Sequence, residues 1–157
     1  MENATTGTTP ASQGFTGFLN AIAGKFETLI NHAMLALTAR IAVAAIFFLS
    51  GRTKVDGWLS VNDTAVALFR DEYKVPVLSH EFAAHMATYA EHFFPLLLVL
   101  GLFTRYAALA LFGMTLVIQI FVYPSAWPTH LSWAAPMLYL IARGAGPVSL
   151  DQTLRIK

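Results

Sequence analysis

Residues 82–103 form a long, mainly apolar stretch, yet His85, Glu91 and His92 lie inside it. About 20 apolar residues suffice to cross a bilayer as a helix. Ionisable groups are expensive at such depth. They face a protein interior or a water-filled cavity, and they mark either a functional site or a buried structural pair. The chain must therefore fold so that neighbouring helices shield these groups, and Glu91 above all needs a partner.

Three further segments of the same character supply the shield, at about residues 31–50, 106–123 and 131–142. The last reaches spanning length if its helix begins near Trp127, where Pro128 suits a first helical turn. Only 12% of the residues are charged, against about 25% in soluble domains. The predicted fold is all-α, an integral membrane four-helix bundle with an amphipathic N-terminal segment and a long loop between helices one and two. Residues 1–16 read as a disordered tail, small and polar, without the basic start and apolar core of a signal peptide. Helix one would then act as an uncleaved anchor. In residues 17–30, Phe18, Ile22, Phe26 and Leu29 recur at helical spacing. That pattern suits an interfacial helix or an early start of helix one. Residues 31–157 form the transmembrane domain.

In the loop from Gly51 to Glu81, Asn62 or Asp63 can cap a short helix reaching Tyr73, because their side chains accept free backbone N–H groups. Pro76 ends the pattern. Trp58, Leu59, Leu68 and Phe69 suggest a lid on the bundle. Trp127 and Trp133 fit an aromatic belt at the same membrane face.

The chain has no cysteine, which excludes thiol exchange and cysteine-ligated clusters. A net charge of +1 is no footprint for nucleic acid. Four spans place both termini on one side, with Lys25, Arg105, Arg143, Arg155 and Lys157. The other side carries Arg52, Lys54, Arg70 and Lys74. The excess of one favours cytoplasmic termini.

Several short patterns occur in order: Arg40 ahead of FFLSGRTK, FRDEYKVP, Glu91 ahead of LLLVLGLFTRYAAL, and GAGPVSLD. Together they resemble the DoxX-like family of small four-helix bacterial membrane proteins, over about Ala33 to Leu154. The matching positions are Arg40, Gly51, Lys54, Pro76, Glu91, Gly101, Thr104, Arg105, Gly146, Ser149, Leu150 and Asp151. The resemblance implies a bacterial inner-membrane protein that serves as a subunit or accessory of a redox system, including quinone-linked oxidoreductases. Other members accompany metal-handling partners. The polar tail and extra histidines depart from the pattern.

The residues themselves suggest two sites. Arg40 and Glu91 lie near the middles of adjacent antiparallel helices, so an Arg40–Glu91 pair is expected inside the bundle. That pair either specifies packing or forms a proton or quinone site, with His92, Gln119 and Arg105 as cofactor-binding candidates. A second set comprises His80, Glu81, His85 and His130. Glu81 and His85 stand one helical turn apart, and His130 enters helix four from the same membrane side. Such nitrogen and oxygen donors suit zinc, copper(II) or iron, or a haem. A non-catalytic anchor or assembly module is the competing reading, with lipid contacts and a protein partner or a second copy in the membrane. Ala107, Ala108, Ala110 and Gly113 offer a small-residue face for close packing of helices.

Overall fold

Asn31 starts the first apolar helix by accepting the Met34 backbone N–H at 3.1 Å. A computed structural model describes residues 10–156, with side chains from Gly14 onward. Ahead of Asn31 lies α1 (Pro10–Leu29). Its start at Pro10 corrects the expected tail through residue 16; residues 1–9 lie outside the described residues. Helix α2 (His32–Arg52) follows after two residues.

A small antiparallel hairpin of β1 (Val55–Asp56) and β2 (Ser60–Val61) comes next. Asn62 caps α3 (Asp63–Leu68) by accepting the Ala65 N–H at 2.8 Å. The helix then widens into a π turn, Phe69–Tyr73, closed by the bond from Lys74 N–H to the Phe69 carbonyl.

The helix α4 (His80–Leu100) is capped by Ser79 and stopped by Gly101 in the left-handed region. It contains Pro95, which has no N–H to give to the Glu91 carbonyl one turn back. After a three-residue turn comes α5 (Thr104–Val117), continued by a second π turn, Ile118–Val122. A 3-10 turn at Pro124–Ala126 leads into α6 (Trp127–Arg143), which begins where Trp127–Pro128 suggested. The chain closes with α7 (Leu150–Leu154), capped by Ser149.

The protein is thus nearly all-α, with seven α-helices among the described residues. The four long helices close a ring, because α2 packs on α4 and α6, and α5 packs on the same two. Phe47, Leu98, Leu111, Met137 and Leu140 fill its centre. Truncating one such leucine to alanine costs about 2–5 kcal/mol. Ala107 and Ala108 are fully buried in this core, so part of the small-residue face of α5 serves packing within the chain.

Two helices, α2 and α5 with its π extension, are long and apolar enough to cross a membrane. Only 33% and 22% of their apolar windows are buried. A core helix of a soluble protein would be mostly buried, whereas these present bare apolar faces, including Leu37, Ile41, Leu109 and Leu116.

Candidate functional site

The register of α2 against α4 decides which charges meet. Arg40 lies level with Leu98, and Ser50 with Glu91. Arg40 therefore sits ten residues, about 15 Å of helix rise, from the level of Glu91. The expected Arg40–Glu91 pair does not form, because the two helices are offset along their axes rather than matched at their midpoints.

Glu91 pairs instead with Lys54, which follows the end of α2. Lys54 Nζ lies 2.8 Å from Glu91 Oε2, and both side chains are buried. Ser50 completes the unit: its hydroxyl donates to Glu91 Oε1 at 3.1 Å and accepts from Lys54 Nζ at 2.9 Å. The Ser50 carbonyl takes a further Lys54 proton at 3.2 Å. Every ammonium proton thus has an acceptor, as a buried charge requires. Gly51 allows this approach, since a Cβ there would stand 2.9 Å from His92 Cε1 and 3.0 Å from Glu91 Cβ.

The pair forms the polar spot in the wall of a cavity of about 640 Å³ enclosed by α2, α4, α5 and α6. Most of the wall is apolar, with Phe47, Met86, Phe94 and Met114 among its residues. The second polar spot is His130. Its Nδ1–H donates to Gln119 Oε1 at 2.6 Å, and the Gln119 amide in turn donates to the Pro124 carbonyl at 2.8 Å. This chain orients the amide and fixes the imidazole tautomer, leaving Nε2 as an acceptor. The ring rests edge-on against Trp133.

The two π turns meet and both contribute to the wall of this cavity. There Tyr73 and Tyr123 stack edge to face, and the Tyr123 hydroxyl donates to the Glu72 carboxylate. That bond, followed by desolvation, raises the Tyr123 phenol above its ordinary range. Burial raises the Tyr73 phenol as well. Phe69 supplies the lid contact expected of it, packing on Ala83 and Ala84 of α4. Trp58 and Leu59 do not act as lid residues; both are exposed, because the hairpin turns them outward.

Arg40 belongs to a different unit at the opposite end. Its guanidinium donates to the carbonyls of Leu98 (2.7 Å), Val99 (2.6 Å), Ala145 (3.2 Å) and Val148 (2.6 Å). It ties the end of α4 to the loop after α6 and leaves no donor aimed at the cavity. Gly101 stands against it, and a Cβ at Gly101 would lie 2.8 Å from the guanidinium. Asp151 accepts the N–H groups of Phe103 and Thr104 at 2.7 and 3.0 Å, so it caps α5 from the C-terminal helix. Arg105 likewise binds backbone, donating from Nη1 to the carbonyls of Ile141 and Ala142. Arg40 and Arg105 thus pin backbone and are not placed at the cavity. His92 lies beside Glu91 in sequence but donates from Nδ1 to Thr88 O at 2.7 Å and does not line the cavity.

The four expected metal ligands do not gather. No group of three histidine or acidic residues suited to a metal exists among the described residues. His85 bonds back to the Glu81 carbonyl at 2.8 Å on an exposed face, whereas His130 turns into the bundle. Sequence reasoning singled out Glu91 as a buried site residue, Gln119 as a cofactor-binding candidate and His130 as a metal ligand. The structure sets Glu91 and His130 in the cavity wall, with Gln119 bonded to His130. No site role had been assigned to Lys54, Ser50 or Tyr73. The spacing of Ser50 and Lys54, one turn apart at the end of an apolar helix, was the available signal.

Comparison with known proteins adds a relative and a family. An uncharacterized protein of Haemophilus influenzae is 29% identical over 130 residues, covering 76% of this chain and 82% of the relative. No solved structure matches. The sequence model of the DoxX family matches residues 35–124, which take in all but the first three residues of α2, the elements through α5 and the whole Ser50–Lys54–Glu91 unit. The chain belongs to the DoxX family.

Proposed function

We propose that this protein is a small multi-pass inner-membrane subunit of a redox-linked system, and that its cavity binds the head of a quinone-type molecule. One observation carries the reading: a cavity of about 640 Å³, apolar over most of its wall, in which the only buried ion pair among the described residues is placed. Apolar pockets with a few convergent polar groups are the usual form of small-molecule sites. The wall accepts a ring and the start of a tail. Lys54 donates to a quinone oxygen in exchange for one of its Ser50 acceptors, while Glu91 and His130 relay protons to the quinone oxygens as a partner's electrons arrive. The quinone supplies the electron chemistry when bound; the protein's residues orient it and handle protons.

The bare apolar faces of α2 and α5 support placement in a membrane, with α4 and α6 completing four spans. The excess of one basic residue on the side of the termini favours a cytoplasmic location for them. DoxX proteins are typically membrane-associated, in keeping with this placement. An electron donor would be a partner protein or a redox subunit docked on the bundle.

The exposed hairpin favours a second reading, a membrane anchor for another protein. Trp58 at its tip is bare to solvent, as is Val77 in the loop before α4, which suits a partner surface. A ubiquinone or menaquinone titration of the purified protein, followed by tryptophan quenching, separates the two. Trp133 lines the cavity, so quinone binding at the site quenches it. Saturable quenching that Glu91→Gln weakens supports the quinone reading. No saturable quenching transfers the case to the anchor.

A further inference from the structure

At the opposite end from the cavity, α5 begins, α6 ends and the Gly144–Ser149 loop crosses between them. These elements line a second cleft of about 460 Å³. Two guanidinium groups line it, from Arg105 and Arg143. Neither has a carboxylate within salt-bridge distance among the described residues, where the ion pairs are Lys54–Glu91 and Arg70–Asp71. Arg105 uses Nη1 on two carbonyls, while its Nε and Nη2 lie under Gly144 and make no hydrogen bond among the described residues. Arg143, the last residue of α6, is exposed and makes none at all there. The backbone N–H groups of Ala145 and Gly146, in the same lining, also donate to nothing among the described residues.

The cleft's own carboxylate does not cancel this charge. Asp151 is buried, engaged by two backbone N–H groups, and opposed by the nearby Arg40. Two planar cations and spare amide donors therefore surround one concavity, a donor set that matches a tetrahedral oxyanion. The cleft also sits where a headgroup would. Its rim carries exposed Phe103 and Tyr106, aromatic residues of the kind found at membrane interfaces, and the bare apolar face of α5 begins directly below with Leu109.

We propose that this cleft is a phosphate-binding site, taking the phosphate of an anionic amphiphile whose acyl chains lie along α5. Basic pockets at the ends of membrane helices bind anionic headgroups in this way. The site is separate from the quinone cavity and does not depend on it.

The test uses the full chain in a neutral detergent. Its thermal midpoint is measured against added phosphatidylglycerol, phosphatidylcholine or inorganic phosphate. The exposed Arg143 side chain makes no hydrogen bond or ion pair among the described residues, so Arg143→Gln should leave the midpoint without lipid unchanged, separating ligand loss from unfolding. Phosphatidylglycerol should stabilise the parent at concentrations where phosphatidylcholine does not. Arg143→Gln should weaken that effect about tenfold, and Arg143→Lys should recover part of it. If inorganic phosphate stabilises equally and shares the Arg143 dependence, the phosphate site stands and its source is free phosphate. Equal stabilisation by the two lipids, or an Arg143→Gln response matching the parent, would overturn the proposal.

Discussion

The two ends of the bundle hold similar side chains in opposite circumstances. At one end Arg40 spends its donors on backbone carbonyls, Arg105 spends Nη1 in the same way, and Asp151 spends its acceptors on backbone N–H groups. At the other, Lys54 and Glu91 bind each other and Ser50, beside an open apolar cavity. A charge that is satisfied by backbone fixes the chain. A charge satisfied by another side chain keeps a partner that a ligand can replace. Buried charge therefore does not identify a site; what it is bonded to does.

Removing Arg40 should have the largest effect. Arg40→Ala removes the donor from the Val99, Ala145 and Val148 carbonyls, while Leu98 O keeps the Gly101 N–H, and it unties the end of α4 from the loop after α6. Each acceptor left buried and unpaired costs about 1–3 kcal/mol. The expected result is failure to accumulate folded protein, read by size-exclusion chromatography in detergent. A well-folded Arg40→Ala protein would erase the contrast between the ends.

The next effect sharpens the contrast at the cavity. Breaking a buried pair by changing one member costs about 3–5 kcal/mol. Lys54→Met alone should therefore destabilise strongly, whereas the double change Lys54→Met with Glu91→Leu should recover much of the loss. The double variant should nonetheless fail to bind quinone. Recovery of both stability and binding would make the pair a packing device like Arg40.

Gly101→Ala comes third. The left-handed backbone and the Arg40 guanidinium both oppose a Cβ, at an expected cost of about 1–3 kcal/mol, measured as a lowered thermal midpoint with quinone affinity preserved.

The smallest effect is at the meeting of the two π turns. The raised phenol of Tyr123 means that its bond to Glu72 contributes below the ordinary tyrosine pKa and is lost as pH rises through the raised one. The bond is exposed, so it adds under about 1 kcal/mol. Tyr123→Phe should be less stable than the parent by under about 1 kcal/mol near neutral pH, and should lack the alkaline decline in stability that the parent shows.

Much of the helical scaffold was legible because its signals are local. Asn31, Asn62 and Ser149 cap the helices that follow them, and Trp127–Pro128 opens α6. The hairpin was legible too, from Asp56–Gly57 between apolar residues, but the long loop was read only for its helix. Site partners were harder. Glu91 stands out against an apolar helix, yet its partner depends on an axial offset between α2 and α4 that no short-range pattern encodes. Arg40 illustrates the same limit, since its acceptors are carbonyls, and every residue type offers one. The proposed metal set failed because His80, Glu81 and His85 share a helix end while His130 is turned inward by Gln119.

The π turns at Phe69–Tyr73 and Ile118–Val122 each hold one residue more than an α-helical turn of the same place. One residue is about 100° of helix rotation. The aim of Tyr123 toward Tyr73 is thus set by a count rather than by a side chain. Deleting a single residue from Ile118–Val122 would leave the composition almost unchanged and turn Tyr123 about a quarter of the way around its helix. This part of the cavity wall is in this sense written in chain length, and a substitution scan would pass over it.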